Sequence, residues 1–475
     1  MKTLPIKSLT SAWAIISSLF LYALPQEPQI ASGEARVVAQ QGQLNITTSD
    51  KAIINWKEFS IGTKELVQFQ QPSSASAVLK RVKGGEASHI LGQLLANGKV
   101  YLINPSGVIF GKDASIKTAE FLASTHDLSD SAFLLNADQL FKGDSKEAII
   151  NYGTIQALDG NITLIGRIVD NQGSLQAPNG QVSLAAGQEI LLRPEDISIL
   201  AIRPALDPDG KLTHAGKIEA LITQLQSEGQ AYAHGINVQG TILALNTVEQ
   251  NGRIFLKADS IAIAPQGKLE APQGAITIET NAKSFYNEGN ISAPQGSISI
   301  KNSSPDSPFY NLGTLDVSGP QGGKIQIDTT KLINSGKILA EGFTQDGGTI
   351  AIHTHGPYIE TVQGTISANG QQVGGAISLR SDTTLFSSGK HSSQGELGGE
   401  ISLLSPTLTL VSADINATGR SQGGKIFIGG GAHGETRDAP NAQTTHLSGN
   451  TRLSASATQA GDGGTVVVWA DDKTI

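Results

Sequence analysis

The sequence predicts an all-β protein, and within that class a right-handed parallel β-helix with an N-terminal β cap and a small insertion outside the coils. Two repeated patterns indicate this fold from residue 151 onward. A glycine that follows Asn-x or Gln recurs every 22 to 28 residues, at Gly240, Gly267, Gly289, Gly313, Gly336 and Gly364. A second glycine opens the element Gly-x-(Ile/Val)-x-(Ile/Leu/Val), at Gly252, Gly274, Gly296, Gly323, Gly348 and Gly375. A period in the twenties built from short alternating strands is typical of a solenoid, since one unit cannot bury its apolar face without neighbours.

The alternation within each element predicts which side chains are buried. Strand side chains point to opposite faces in turn, so we expect Ile276, Ile298, Ile325 and Ile350 to stack inside the helix on consecutive coils. Glycine suits the corners because it accepts positive φ, and the Asn before it can hold a turn through its side chain. An antiparallel β-sandwich stays open as an alternative, because a period of two serves both folds; the regular spacing favours the solenoid.

The regular spacing of glycines is interrupted between Gly187 and Gly240, which indicates an insertion over residues 187–239. Within it, apolar residues fall at i, i+3, i+4 and i+7, namely Ile218, Leu221, Ile222 and Leu225. This spacing predicts a short amphipathic helix over residues 216–227 that covers the sheet or presents a binding face.

The N-terminus follows the plan of a signal peptide over residues 1–32. Lys2 and Lys7 precede an apolar stretch, residues 12–24, that is too short to remain as a membrane-spanning helix. We expect cleavage between Ala23 and Gly33. Because no later segment has 18 consecutive apolar residues, we expect a mature protein that is not integral to a membrane and passes through the periplasm to the medium or the cell surface.

Composition excludes several kinds of chemistry. The net charge is -8 and the basic residues form no stripe along the sequence, so nucleic acid is not an expected partner. The chain has no cysteine, which excludes disulfides, Cys-ligated zinc and a thiol nucleophile. His353 and His355 lie on one strand face, but the sequence offers no third ligand beside them, so we assign no metal site and no cofactor. Charged residues are sparse and form no nucleophile–base pair, so we do not expect an enzyme and assign no catalytic residue.

Three segments of the N-terminal region resemble a known family. They are KAIINWKEFSIG (residues 51–62), VQFQQPSSASAVLKRV (residues 67–82) and GKVYLINPSGVIFGKDA (residues 98–114). They are similar to the secretion domain of two-partner secretion exoproteins, the group of filamentous haemagglutinin and the high-molecular-weight adhesins. The resemblance implies a secretion (haemagglutination-activity) domain over residues 33–275 and further β-helix repeats over residues 276–475, and the last residues stop in the middle of what resembles a continuing pattern.

The resemblance also implies candidate recognition residues. The family's turn motif Asn-Pro-Asn-Gly reads here as Asn104, Pro105, Ser106 and Gly107, with Ser in place of the second Asn. Pro105 presets φ for the turn and Gly107 ends it. The other candidates are Asn55, Trp56, Phe59, Gln71 and Pro72. The implied reader of these residues is an outer-membrane β-barrel transporter with periplasmic modules.

The function that the resemblance implies is export followed by adhesion, as an adhesin or haemagglutinin that binds a host cell surface receptor or glycan. One alternative is the N-terminal delivery part of a contact-dependent toxin. Another, from a different class, is a β-helical carbohydrate-active enzyme, which needs carboxylates clustered along one groove.

Overall fold

The computed structural model describes residues 24–193, 199–203, 210–227, 236–246, 250–281, 283–303, 307–435 and 441–475. It confirms a parallel β-helix whose coils have three faces. Most of the predicted signal peptide, residues 1–23, lies outside the described residues.

Each face is a ladder of parallel strands from successive coils. The first face contains Gln43–Thr48, Leu66–Gln70, Gln93–Ala96, Ser115–Thr118, Thr154–Ala157, Thr241–Ala244, Lys268–Glu270, Asn290–Ser292, Thr314–Asp316, Lys337–Leu339, Thr365–Ser367, Lys390–Ser392, Asp414–Asn416 and Arg452–Ser454. The second contains Ala52–Trp56, Ala77–Val82, Lys99–Ile103, Glu120–Ser124, Ile162–Gly166, Arg253–Ala258, Ala275–Thr280, Ser297–Asn302, Lys324–Thr329, Thr349–Thr354, Ala376–Ser381, Glu400–Leu404, Lys425–Ile428 and Thr465–Val468. Two long strands, Ser174–Ala186 and Lys217–Ser227, run across both of these faces.

The third face is a separate ladder. Its strands are Ser88–Ile90, Val108–Phe110, Ala148–Asn151, Ile168–Asn171, Lys211–His214, Ile236–Val238, Ile261–Ile263, Phe285–Asn287, Phe309–Asn311, Leu332–Asn334, Tyr358–Glu360, Thr384–Ser387, Thr407–Leu410, Thr444–Leu447 and Lys473–Thr474. Together the three faces enclose one continuous hydrophobic core that runs along the axis.

The predicted register is confirmed. Ile276, Ile298, Ile325 and Ile350 pair in sequence on four consecutive coils, and all four side chains are buried. The reason predicted for the corner glycines is wrong, because none of the repeat glycines has positive φ. They are needed for close approach between coils: a Cβ on Gly296 would clash with the carbonyl oxygen of Gly274 one coil before.

The Asn residues before the corner glycines have a role that the sequence did not indicate. Asn287 donates to Asn311 (2.9 Å), Asn311 to Asn334 (2.8 Å) and Asn334 to Glu360 (2.8 Å), all buried inside the third face. The ladder satisfies polar groups that would otherwise be costly inside the core.

An antiparallel β cap covers the first coil, as predicted. Gln29–Ser32 pairs with Ala52–Trp56, and Ala35–Gln40 pairs with Gln43–Thr48. The backbones of Gln26 and Glu58 form an isolated antiparallel β-bridge. Residues 24–32, which the sequence reading grouped with the signal peptide, are therefore part of the folded body. The cap also removes an open sheet edge.

The predicted helix over residues 216–227 is wrong. Lys217–Ser227 is a strand that pairs in parallel with Ser174–Ala186 and with Arg253–Ala258. Ile218 and Leu225 enter the core, whereas Leu221 and Ile222 are half-buried where the strand passes from one face to the next. Inward residues therefore alternate at even positions before the corner (Ile218, Ala220) and at odd positions after it (Thr223, Leu225). This change from even to odd positions produces apolar residues at the spacing of a helix.

A small layer lies outside the coils, as the fold class required, but it differs from the predicted insertion. It consists of the helix Asp130–Leu135 and an antiparallel sheet of Gln139–Lys142, Glu189–Leu192 and Ile199–Arg203. The chain has returned to the coils by Lys211–His214. Elsewhere, Gly395–Leu397 pairs with Gly419–Gln422, and Ala432–Gly434 forms a short 3-10 turn. Among the described residues no helix has the length and apolar character needed to cross a membrane.

Candidate recognition site in the first coils

The turn of residues 104–107 joins the second face to the third, between Lys99–Ile103 and Val108–Phe110. The backbone N–H of Gly107 donates to the carbonyl of Asn104 at 3.0 Å, which closes a four-residue turn. Gly107 has φ +100°, a conformation that side chains with a Cβ rarely adopt. The residue types of the motif are thus accounted for by local geometry.

Asn104 holds this turn from the inside. Its side chain is 1% exposed. Nδ2 donates to the carbonyl of Glu86 and to Oγ of Ser88, both at 2.9 Å, and Oδ1 accepts from the backbone N–H of Ser106 at 2.9 Å. A partner protein therefore cannot reach the Asn104 side chain, and any contribution it makes to recognition passes through the shape of the turn.

The tip of the turn is what faces solvent. Pro105 is exposed and Ser106 is half-exposed. The carbonyl of Pro105 accepts from Oγ of Ser145 at 2.5 Å, so the tip is braced by the following coil. The accessible part of the predicted motif is a rigid Pro-Ser pair.

Asn55, Trp56 and Phe59 lie near the same corner. The register Asn55–Arg81–Ile103 places the end of Ala52–Trp56 two coils before the turn. Trp56 and Phe59 are both buried and pack edge to face with ring centroids 5.5 Å apart. Of the three, only Asn55 is partly accessible, where it lines a shallow pocket of about 210 Å³ beside Lys83 and Gly84.

Gln71 and Pro72 lie at a different corner, between the first and second faces. Gln71 is buried and its Nε2 donates to the carbonyls of Ser76 (2.8 Å) and Lys99 (3.1 Å). Pro72 is exposed beside it. The predicted recognition residues thus divide between two corners, and the surface they offer is Pro105, Ser106, Pro72 and part of Asn55.

Lys80 is an unusual member of the core in this region. It points inward between Ile54 and Leu102, is 0% exposed, and its Nζ has no hydrogen-bond partner among the described residues. Nζ lies 4.4 Å from the ring centroid of Phe59 and 4.5 Å from that of Phe69. Desolvated cation–π contacts contribute about 2 kcal/mol each, and burial of an ammonium costs several kcal/mol. Burial therefore lowers the pKa of Lys80 well below its ordinary value.

The first coils also carry apolar residues on their outer side. One row of outward positions on the second face, which we call the outer row, runs in register through Ile53, Leu79, Tyr101, Leu122, Thr163, Ser183, Gln224, Phe255, Thr277, Ser299 and Gln326. The first four are buried although they point away from the axis. The layer outside the coils covers them and forms a second hydrophobic cluster, to which Phe133, Phe141 and Ile190 contribute.

Polar contacts fasten this outer layer. Arg81, which is 8% exposed, donates from Nε to Asp127 at 2.8 Å and from Nη2 to Asp130 at 2.9 Å and to the carbonyl of Leu128 at 2.9 Å. His126 is buried and its Nε2 lies 2.7 Å from the carbonyl of Gly187. Burial lowers the pKa of His126.

Sequence reasoning predicted an element outside the coils but placed it at residues 187–239, although the strands of the first coils contain a signal for the layer. AVLKRV, KVYLI and EFLAS carry runs of apolar residues instead of alternation. Such runs are typical of strands that are buried on both faces. Ser129, which caps the helix Asp130–Leu135 by accepting from the backbone N–H of Ala132, is the second signal.

Two groups of reactive side chains come together farther along. Inside the coils, Ser387 Oγ (3.2 Å) and Glu360 Oε2 (2.5 Å) both contact Nε2 of His391. These are the residue types of a hydrolase triad, but both bonds use one ring nitrogen and all three residues are 0% exposed. The arrangement is therefore a buried polar cluster. The second group joins His353 and His355 to Asp328, the third ligand that the sequence reading did not find.

Comparison with known proteins decides the family. The sequence model of a protein family, the TPS (two-partner secretion) secretion domain, matches residues 24–271, about half of the chain. The chain belongs to this family. The matched region contains the β cap, the turn of residues 104–107 and the outer layer. As a family member, the chain is exported and is secreted or exposed at the cell surface.

Two curated relatives are both named heme/hemopexin-binding protein and both come from Haemophilus influenzae. The one from strain ATCC 51907 / DSM 11121 / KW20 / Rd is 33% identical over 252 residues, which is 50% of this chain and 28% of the relative. The other is 32% identical over 246 residues, or 47% and 26%. The chain thus spans about a quarter of the length of these relatives. The crystal structure of the HMW1 secretion domain from Haemophilus influenzae aligns with 94% of this chain and 100% of its own at 22% identity and a TM-score of 0.43.

Proposed function

We propose that residues 24–271 form the address by which an outer-membrane β-barrel transporter with periplasmic modules selects this chain for export. The observation that carries the proposal is that the region matched by the family model contains the described coils that carry a second hydrophobic cluster on their outer side. Two hydrophobic clusters hold this region in one shape, so the exposed Pro105 and Ser106 can be presented in a fixed orientation.

The rest of the coils suit an export route that passes an extended chain. The described coils contact mainly their neighbours, so folding can proceed coil by coil as the chain emerges. Each new coil adds apolar burial and ladder hydrogen bonds on the one before, which opposes return of the chain into the cell. The absence of cysteine also avoids cross-links in an oxidising periplasm.

After export the coils act as a binding surface, and we propose adhesion to a host cell surface receptor or glycan as the role. The coils after the matched domain, residues 272–475, form what we call the shaft. Its many coils and the polar residues of its outer row support this role. A second candidate is binding of haem or hemopexin, which the names of the two relatives favour. We further propose that the chain has no enzymatic turnover, because the Ser387–His391–Glu360 cluster is closed to substrate.

Export is tested by producing the chain with and without an outer-membrane barrel of the two-partner type and measuring the amount in the medium. We expect the chain in the medium only when the barrel is present. An equal extracellular amount without the barrel would contradict the proposal. The role after export is tested with the purified chain, by measuring adhesion to host cells beside binding of hemopexin and of haem. Adhesion without hemopexin or haem binding supports the adhesin, and the reverse result supports the second candidate.

A further inference from the structure

The second face carries a compact group of imidazoles and carboxylates on three consecutive coils, well beyond the secretion domain. Asp328 and His353 pair in register on Lys324–Thr329 and Thr349–Thr354. His355 follows two residues after His353, and Asp382 follows the strand Ala376–Ser381 of the next coil. Sequence spacing conceals this group, because its members are 25 to 29 residues apart from coil to coil.

The polar atoms of the group face one another. His355 Nε2 lies 3.0 Å from Asp328 Oδ1, and His353 Nε2 lies 3.0 Å from Asp382 Oδ1. His355 Nδ1 lies 3.2 Å from Asp382 Oδ2. One ligand atom from each of Asp328, His353 and His355 can be chosen so that all three lie within 4.8 Å of one another.

We propose that Asp328, His353 and His355 bind a divalent transition metal ion, of which Zn²⁺ is the representative. Imidazole nitrogen and carboxylate oxygen are the donors that such ions take from proteins in sites without cysteine. Ligand atoms about 2.0–2.2 Å from a tetrahedral ion lie about 3.3–3.6 Å apart, so only small side-chain movements would bring the three donors to that spacing. Three protein ligands leave a fourth position for water or for a group of another molecule.

The surroundings of the ligands fit this role. Asp382 Oδ2 beside His355 Nδ1 favours the tautomer with a proton on Nδ1, which leaves the Nε2 lone pair for the metal. Backbone pairing also fixes the ligands, because the N–H of His355 donates to the carbonyl of Thr329 at 2.9 Å. Arg380 Nε lies 3.3 Å from Asp382 Oδ1 and holds this orienting carboxylate.

A metal-free network of ion pairs is the competing explanation of the same contacts. The four side chains are 33% to 52% exposed, and ion pairs at such sites contribute little to stability. The two explanations predict different responses to added metal. A network of ion pairs holds no stoichiometric ion, whereas three convergent donors bind one equivalent. Because metal ligands must be deprotonated, binding is tested at mildly alkaline pH.

The test is calorimetric titration of the purified chain with ZnCl₂ at about pH 8, together with the visible absorption spectrum after addition of Co²⁺. We expect one equivalent of Zn²⁺ and the intense Co²⁺ bands of a site with low coordination number. His355→Gln should lower the affinity more than tenfold, and Asp382→Asn, which removes only the orienting carboxylate, about 10- to 100-fold. His446→Gln, a surface histidine on another coil, should leave the affinity unchanged.

Melting temperatures in the presence of a chelator show whether the variants are folded. Saturable binding that survives the double variant His353→Gln/His355→Gln would place the ion elsewhere and overturn the proposal. The absence of binding to the folded wild-type chain would leave the group as an ion-pair network and would overturn it equally.

Discussion

The first coils and the later shaft share the same backbone arrangement, but their outer rows differ in polarity and in exposure. On the second face, Ile53, Leu79, Tyr101 and Leu122 point outward and are buried, whereas Ser299 and Gln326, in the same row, point to solvent. The inward residues of both regions are apolar and stack alike. Apolar residues in the outer row therefore distinguish the coils that carry a second layer from those that remain packed on one side.

This difference separates the two tasks of the molecule. A coil packed on both sides has one fixed shape, because close-packed interiors resist deformation, and this suits a surface that another protein must recognise. A coil packed on one side depends mainly on its neighbours and can be repeated along an axis, which suits a long exported shaft.

The outer row is tested most strongly by placing a carboxylate at two of its positions. Leu79→Asp should lower the free energy of unfolding by more than about 4 kcal/mol, because it removes buried apolar area and buries an unpaired charge. Ser299→Asp, at the equivalent exposed position, should change it by less than about 0.5 kcal/mol. Urea unfolding of both variants measures the difference. Similar losses at the two sites would contradict the comparison between the regions.

The shaft contains a buried carboxyl group, Glu360, whose ionisation contributes to stability. Burial opposes ionisation of this carboxyl, but the charge and hydrogen bond of His391, with hydrogen bonds from Ser387 and Asn334, hold the pKa of Glu360 below its ordinary value. The resulting stability is complete above about pH 4.5 and is lost as the pH falls through the lowered pKa. Glu360→Ala should cost about 3–5 kcal/mol near neutral pH, because it leaves buried partners unpaired.

The difference between Glu360→Ala and the wild type should shrink in unfolding experiments below about pH 4.5. A difference that stays constant from about pH 7 to pH 3 would show that the ionised carboxylate does not stabilise the coil.

Lys80 provides a stabilising change in the first coils. Lys80→Met keeps the apolar stem and removes an amine without a hydrogen bond, so the free energy of unfolding should rise by about 1–3 kcal/mol. Because the pKa of Lys80 is lowered in the fold, the unfolded chain binds the extra proton and wild-type stability rises with pH up to about 10.5. The variant should lose that part of the pH dependence. Lower stability of Lys80→Met would show that the charged amine over the Phe59 and Phe69 rings is favourable.

The fold was predictable from the sequence where each coil is one-sided. Alternation of Ile and polar residues determines the inward positions, and the spacing of glycines determines the corners, so the stacking of Ile276 on Ile298 followed directly. The helix predicted over residues 216–227 failed for a physical reason, since a strand that bends around a corner shifts its inward phase and imitates helical spacing.

The candidate sites were less predictable, because they depend on contacts between coils. The turn motif could be located, but the burial of Asn104 depends on Glu86 and Ser88 from the preceding coil. Asp328 joins His353 only through the register of the ladder. With the coil length known, a search for reactive residues one period apart would have found this group.

We place the address for export in the first coils, and this claim can be tested by comparing two buried asparagines. Asn104→Ala removes three side-chain hydrogen bonds in the secretion domain, and Asn334→Ala removes two in the shaft. Each should cost about 2–3 kcal/mol, so the variants form a pair matched in stability. The quantity measured is the amount of each variant in the medium and in the periplasm, with the barrel present and melting temperatures recorded. We predict that Asn334→Ala is secreted near the wild-type level while Asn104→Ala accumulates in the periplasm; equal secretion of the two at equal stability would contradict the claim.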